Sequence, residues 1–171
     1  MALVLVGGGS RSGKSTYALN LARALPGPHA FVATAQAYDD EMRSRVARHQ
    51  AERAGEFATY EEPFHLARTI TSLEAAYPVI IVDCLTLWLT NLLLQEKESM
   101  PQRIGAFLAS VTTSPSTVIA VTNEVGCGIV PQNALAREFR DLQGRLNQDA
   151  AQAAREVYWM VFGCPMRVKH P

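Results

Sequence analysis

The stretch Gly8-Gly9-Ser10-Arg11-Ser12-Gly13-Lys14-Ser15 follows almost directly on the apolar run Leu3–Val6 and fits G-x-x-x-x-G-K-[ST]. A buried strand, a glycine-rich turn and a helix start, in that order, let successive backbone N–H groups face inward around phosphate oxygens, with the positive end of the helix behind them. In such a loop Lys14 bridges the β- and γ-phosphates and Ser15 offers its hydroxyl to Mg²⁺. The acid that completes a metal shell is expected at the end of a later buried strand, and Asp83, which closes the run Val79-Ile80-Ile81-Val82, stands where it is needed.

The rest of the chain alternates in the same manner. Short runs rich in β-branched or aromatic residues occur at Leu3–Val6, Ala30–Thr34, Val79–Asp83, Thr117–Thr122 and Val157–Phe162, with weaker ones at Phe57–Tyr60 and Met166–Lys169. Helical patterns lie between them. Ser15 to Leu25 puts Ala18, Leu21, Ala22 and Leu25 on one face and stops at Pro26-Gly27. Asp39 to Arg53 opens with acidic residues suited to a helix N-terminus, and Asn133 to Glu156 is the longest. This alternation predicts an α/β fold: a single-domain P-loop NTPase with a mainly parallel sheet flanked by helices on both faces. Ligands of such sheets bind beyond the carboxyl ends of the strands, so Gly8–Ser15, Thr34, Asp83 and Asn123–Gly126 are expected on one rim.

Bulk properties narrow the function. A chain of 171 residues with 48% hydrophobic side chains has material for one core, so residues 1–171 read as one domain. Sixteen basic and sixteen acidic residues cancel, leaving no field to attract nucleic acid or an anionic membrane, and the expected partners are small molecules. The segment Val79–Leu94 is apolar enough to suggest a membrane span, but Asp83, Thr86, Thr90 and Asn91 interrupt it, so a buried strand running into a buried helix is expected. Cys84, Cys127 and Cys164 match neither a disulfide framework nor a zinc pattern, and read as reduced, mostly buried thiols of a cytoplasmic protein.

The loop alone does not name a reaction. A switch GTPase reads guanine through Asn/Thr-Lys-x-Asp and senses the γ-phosphate through Asp-x-x-Gly, and the chain has neither: Asn123-Glu124-Val125-Gly126 lacks the lysine and the final acid, and Asp83-Cys84-Leu85-Thr86 lacks the glycine. A motor ATPase needs a larger body. A small-molecule kinase fits better, and a non-catalytic nucleotide-binding module is disfavoured by so complete a set of phosphate and metal groups. On the helix from Asp39 to Arg53, Met42, Val46 and His49 fall on one stripe, so spacing alone makes His49 a packing residue. His29, His65 and His170 are less informative still.

Four blocks together give the chain a closer resemblance. GGSRSGKS, ATAQAYDDEMRSRVARHQAER, VIIVDCLTLWLTNLL, and VTNEVGCGIVP followed by LAREFRDLQGRLNQ resemble the bifunctional adenosylcobinamide kinase / adenosylcobinamide-phosphate guanylyltransferase family of cobalamin synthesis, over residues 3 to about 163. The resemblance implies a RecA-like P-loop domain and two reactions on one corrinoid arm. ATP or GTP phosphorylates the aminopropanol hydroxyl of adenosylcobinamide; GTP then guanylylates a histidine, which passes GMP to the new phosphate. A single-activity small-molecule kinase, with the histidine merely packing, is the alternative.

By the same resemblance the guanylylated residue is His49, and Lys14 serves catalysis with it. The nucleotide-binding residues implied are Gly8 to Ser15, then Ala33, Thr34 and Ala35, then Gln50, Ala51, Glu52 and Arg53 after the histidine, and finally Glu61 and Asp83; Ser15 and Asp83 hold the Mg²⁺. Without the family pattern Arg53 and Glu61 read as solvated charges. Asn123 and Glu124 suit either a substrate or metal-shell role or a turn cap. A homotrimer with sites between subunits is also implied. One departure lies beside the nucleophile: the family commonly has arginine after the histidine, here Gln50, and Arg48 on the other side is rotated by about 100° on a helix and does not replace it.

Overall fold

The apolar runs form one seven-stranded sheet, because most of their residues are buried whichever face they point to, as strands covered on both sides require. In a computed structural model of the chain, which describes residues 3–36 and 55–170, the strands are β1 (Leu3–Gly8), β2 (His29–Ala33), β3 (Phe57–Glu61), β4 (Val79–Asp83), β5 (Thr117–Val121), β6 (Glu156–Val161) and β7 (Cys164–Lys169). Their order is β3-β2-β4-β5-β1-β6-β7, all parallel except the β6–β7 hairpin. The predicted α/β fold is thus the observed one, with β5 lying between the strand that feeds the phosphate loop and the strand that ends in Asp83.

Alternation along each strand divides the core in two. Val4, Val6, Phe31, Ala33, Ile81, Ile119 and Val121 face the helix α1 (Lys14–Arg23), whose Ala18 and Ala22 are fully buried against them. Leu21 and Leu25 pack at the edge of the same cluster, as their spacing predicts. The opposite residues, Leu3, Leu5, Ala30, Val32, Ile80, Val82, Val118 and Ala120, join a larger cluster with α2 (Leu66–Leu73), α3 (Leu85–Gln95), α4 (Met100–Thr113) and α5 (Ala134–Ala153). Trp88 lies at its centre, fully buried, its indole N–H donating to the Phe64 carbonyl at 2.9 Å and its ring tilted on Phe107. Burial of a side chain that size stabilises by a few kcal/mol, about 25 cal/mol for each Å² of apolar surface.

The ends of the elements follow local chemistry. Glu62 caps α2 by accepting from the N–H groups of Phe64 and His65 and from the Thr69 hydroxyl. Asn133 caps α5 by accepting from the Ala136 N–H at 3.0 Å. Strand β4 turns into α3 at Cys84, so Val79–Leu94 is the buried strand and helix that its interruptions foretell, and among the described residues no helix is long and apolar enough to cross a membrane. The helix expected over Asp39 to Arg53 lies outside the described residues.

The thiols depart from expectation. Cys84 is buried, but Cys127 and Cys164 are exposed. The reason is positional: Cys127 lies in the irregular run between β5 and α5, and Cys164 opens the edge strand β7, five of whose six residues are exposed.

Candidate active site at the carboxyl edge of the sheet

Strand β1 ends at Gly8, and the loop from Gly9 to Gly13 delivers the chain to the first turn of α1. Backbone geometry demands glycine twice. Gly8 has φ +142°, and a Cβ there would stand 2.8 Å from the Met160 carbonyl oxygen; Gly13 has φ +93° and caps α1. The loop therefore lies flush against β6.

Lys14 is only 7% exposed. Its ammonium donates to the Gly9 carbonyl at 2.5 Å and lies 3.4 Å from Ser12 Oγ. Burial pulls its pKa below that of free lysine, while Cys84 and the Asp83 carboxylate draw it back upward. The cation of the loop and the acid of β4 thus share one electrostatic environment although β5 separates their strands.

Register assembles the rest of the rim. Ala33 is paired with Glu61 on one side and with Asp83 on the other, so three of the expected residues lie abreast at the ends of β3, β2 and β4. Asp83 is paired in turn with Val121 of β5, and Val121 with Val6 of β1. Beyond the strands, the Thr34 N–H donates to the Asp83 carbonyl at 3.0 Å and the Glu124 N–H donates to the Gly8 carbonyl at 3.1 Å. The phosphate loop, Thr34, Asp83 and the 123–126 loop therefore meet along one edge, as the strand directions predict, and Ala33 and Glu61 end their strands on the same edge. His49, Gln50, Ala51, Glu52 and Arg53 lie outside the described residues.

Two features of this edge are not legible in the sequence. The first is the Thr34 hydroxyl, fully buried, which donates to the Cys84 carbonyl and accepts from the Cys84 N–H, both at 2.8 Å. Asn91, whose side-chain amide donates to the Thr34 carbonyl at 2.8 Å and the Pro63 carbonyl at 3.2 Å, anchors the same residue from α3. Asp83 is thereby held between two fixed backbone positions. The polar interruptions of the apolar segment were the available signal, and they serve this purpose: Thr86 accepts from the Asn123 N–H at 2.8 Å.

The second is a chain of amides that ties α5 to the tip of β5. Thr122 Oγ1 donates to Asn147 Oδ1 at 2.6 Å, Gln143 Nε2 donates to both, and Asn147 Nδ2 donates to the Asn123 carbonyl at 3.0 Å. Glu124, left open by its sequence position, accepts from the Gly126 N–H at 2.7 Å and so caps its own turn.

Ser15 and Asp83 supply a hydroxyl and a carboxylate, hard oxygen donors of the kind Mg²⁺ takes. Among the described residues no group of three or more His, Cys, Asp or Glu could hold a metal without help. Such a donor pair fits an ion bound jointly by protein, water and nucleotide phosphate rather than one caged by protein alone.

Comparison with known proteins agrees with this architecture. The profile of the family described as cobinamide kinase / cobinamide phosphate guanyltransferase matches residues 4–168. The bifunctional adenosylcobalamin biosynthesis protein CobP of Pseudomonas aeruginosa is 43% identical over 169 residues, covering 96% of each chain. The bifunctional adenosylcobalamin biosynthesis protein CobU of Escherichia coli K12 is 38% identical over 184 residues, covering 98% of this chain and 99% of that one. A solved structure from Pyrococcus horikoshii OT3 superposes with a TM-score of 0.60 at 9% identity, covering 99% of this chain and 86% of that one, a likeness of fold alone.

Proposed function

This chain belongs to the cobinamide kinase / cobinamide phosphate guanyltransferase family, and from that premise we propose that it carries out both of the family's reactions at the carboxyl edge of its sheet, with ATP or GTP as phosphoryl donor and GTP as guanylyl donor. In the first, the aminopropanol hydroxyl of adenosylcobinamide attacks the γ-phosphorus of the donor; the P–O bond to the β-phosphate breaks, the hydroxyl proton leaves, and nucleoside diphosphate departs. The N–H groups of the loop hold the phosphates, and Lys14 offsets charge on the β- and γ-oxygens as the bond breaks. Ser15 and Asp83 would hold a Mg²⁺ ion, which would supply further neutralisation of phosphate charge.

In the second reaction a ring nitrogen of neutral His49 attacks the α-phosphorus of GTP and pyrophosphate leaves. A phosphate oxygen of adenosylcobinamide phosphate then attacks the same phosphorus, the P–N bond breaks, and adenosylcobinamide-GDP forms. Arg53 on the neighbouring segment balances phosphate charge where Gln50 offers none. The protein works in the cytoplasm as a homotrimer, with no role for nucleic acid.

The observation that carries the reading is the buried Lys14 ammonium, held on the Gly9 carbonyl of the phosphate loop, with Asp83 ending β4 two strands away on the same edge. GTP labelled at its α-phosphate tests it. With Mg²⁺ and no corrinoid, the wild type gains the mass of one GMP and releases pyrophosphate. His49→Ala gains nothing but keeps much of its kinase turnover, and Lys14→Ala loses both activities by about 10² to 10³-fold or more. The label is lost in mild acid, survives base and maps to the peptide containing His49. Full labelling of His49→Ala would sink the guanylyl-histidine assignment and leave the single-activity kinase.

A further inference from the structure

Nucleotide binding leaves two stretches of the chain without a role, the 123–126 loop and the helix residues of LAREFRDLQGRLNQ. The structure brings them together across an open cleft of about 460 Å³ lined by Gly126, Arg140, Asp141, Gly144, Arg145 and Gln148. Arg140, Gly144 and Gln148 recur at intervals of four on one face of α5, and Asp141 and Arg145 form the adjoining row. Arg140 closes the cleft at one end by donating to the Gly126 carbonyl at 2.7 Å.

We infer that this cleft is the acceptor subsite, where the amide-bearing edge of the corrinoid docks with its aminopropanol arm directed along the 123–126 loop toward the phosphate loop. The inference rests on the acceptor being cobinamide, and four observations carry it. Gly144 stands in mid-helix, where glycine is disfavoured, with no atom within 4 Å of a Cβ built there, so the space beside it is open. The side chains of Asp141, Arg145 and Gln148 make no hydrogen bond or ion pair among the described residues. Between them they offer donors and acceptors, the complement of neutral carboxamides. The run between β5 and α5 that contains this loop is tied to the helix at both ends: Arg137 donates to the carbonyls of Pro131 and Gln132, and Asn147, on the same helix as the cleft, donates to that of Asn123.

Lastly, the same run carries Ile129 and Val130 beyond the loop, 97% and 60% exposed, an apolar edge suited to the face of a macrocycle. Continuity with the nucleotide edge is direct, since Glu124, two residues before Gly126, donates its N–H to Gly8.

Cobinamide is coloured, so its dissociation constant is read by absorbance titration without nucleotide, beside the steady-state KM for cobinamide and for ATP. Arg145→Ala and Gly144→Leu should each raise the cobinamide constant and KM about tenfold or more, leave KM for ATP within about twofold, and leave GMP labelling by GTP at one per chain. Arg145 is exposed, so its variant reports without risk to folding. Gly144→Ala, which favours the helix, should melt no lower than wild type. Wild-type cobinamide affinity in both Arg145→Ala and Gly144→Leu overturns the assignment; if sedimentation then shows smaller assemblies, the cleft belongs to a contact between copies of the chain. Failure of the wild type to label with GTP, with the cobinamide shifts as expected, would remove the guanylyl reading and leave the acceptor site standing.

Discussion

Thr34→Val separates the backbone clamp behind Asp83 from everything else at the site. Valine matches threonine in shape but offers no oxygen, so the Cys84 N–H loses its acceptor at 2.8 Å in a fully buried position. The Cys84 carbonyl fares better, because it also accepts from the Trp88 N–H at 3.1 Å. One buried donor is left unpaired, at a cost of about 1–3 kcal/mol. In a domain of this length each kcal/mol lowers Tm by about 2–4 °C, so a loss of about 2 kcal/mol predicts a fall of about 4–8 °C. Thr34→Ser keeps both hydrogen bonds and removes one buried methyl group, costing about 1 kcal/mol. Function should divide the two variants further: with its flanking peptide released, Asp83 should require several-fold more Mg²⁺ for half-maximal kinase activity in the valine variant, and close to the wild-type amount in the serine variant. Calorimetric melting and a Mg²⁺ titration measure both. A valine variant that melts with the wild type, beside a serine variant that melts lower, would show that the methyl group matters and that the hydroxyl clamp does not.

Asp83→Asn keeps size and removes charge, and should raise the Mg²⁺ requirement more than it lowers Tm; an unchanged requirement would place the metal elsewhere. Burial and the adjacent Asp83 push the Cys84 thiol up to about 12, so iodoacetamide at pH 8 should alkylate Cys127 and Cys164 in the native chain and Cys84 only after unfolding, as peptide mass mapping will show. Because Lys14 is lowered from 10.5, kcat/KM for the nucleotide should decline on an alkaline limb that starts below that value. The same shift means that the folded chain binds its proton less tightly than the unfolded one. The burial cost is therefore full below the folded pKa and fades as pH rises toward 10.5, and Lys14→Met should melt higher than wild type at pH 7 while losing kinase activity.

The strands were readable because a parallel sheet buried on both faces needs uninterrupted apolar runs, and Leu3–Val6 and Val79–Val82 are such runs. The rim was readable for a related reason: a loop, a threonine and an acid each lie where a strand of known direction stops. What escaped is the partnering. Thr34 and Cys84 are fifty residues apart and nothing local marks their bond, and the amide chain from Thr122 to Gln143 and Asn147 joins a strand tip to a helix that reads only as amphipathic. Exposure of Cys127 and Cys164 was hidden because a thiol in an irregular run or an edge strand carries the same letter as one in a core. The bond from the Gly126 N–H to the Glu124 carboxylate escaped likewise, because no spacing rule describes the turn that makes it.

The strand inserted between β1 and β4 acts as a gauge block. Neighbouring strands in a hydrogen-bonded sheet lie about 4.8 Å apart, so the roots of the phosphate loop and of the acid are separated by about twice that distance, a step set by peptide hydrogen bonds rather than by any side chain. A side chain can be lengthened by one substitution, but the pitch of a sheet cannot. Selection for a longer or shorter phosphoryl acceptor therefore has no route through the jaws of this site, and must work on what is clipped to their edges: the turns after β2, β4 and β5, where sequence changes alter reach without altering the gap.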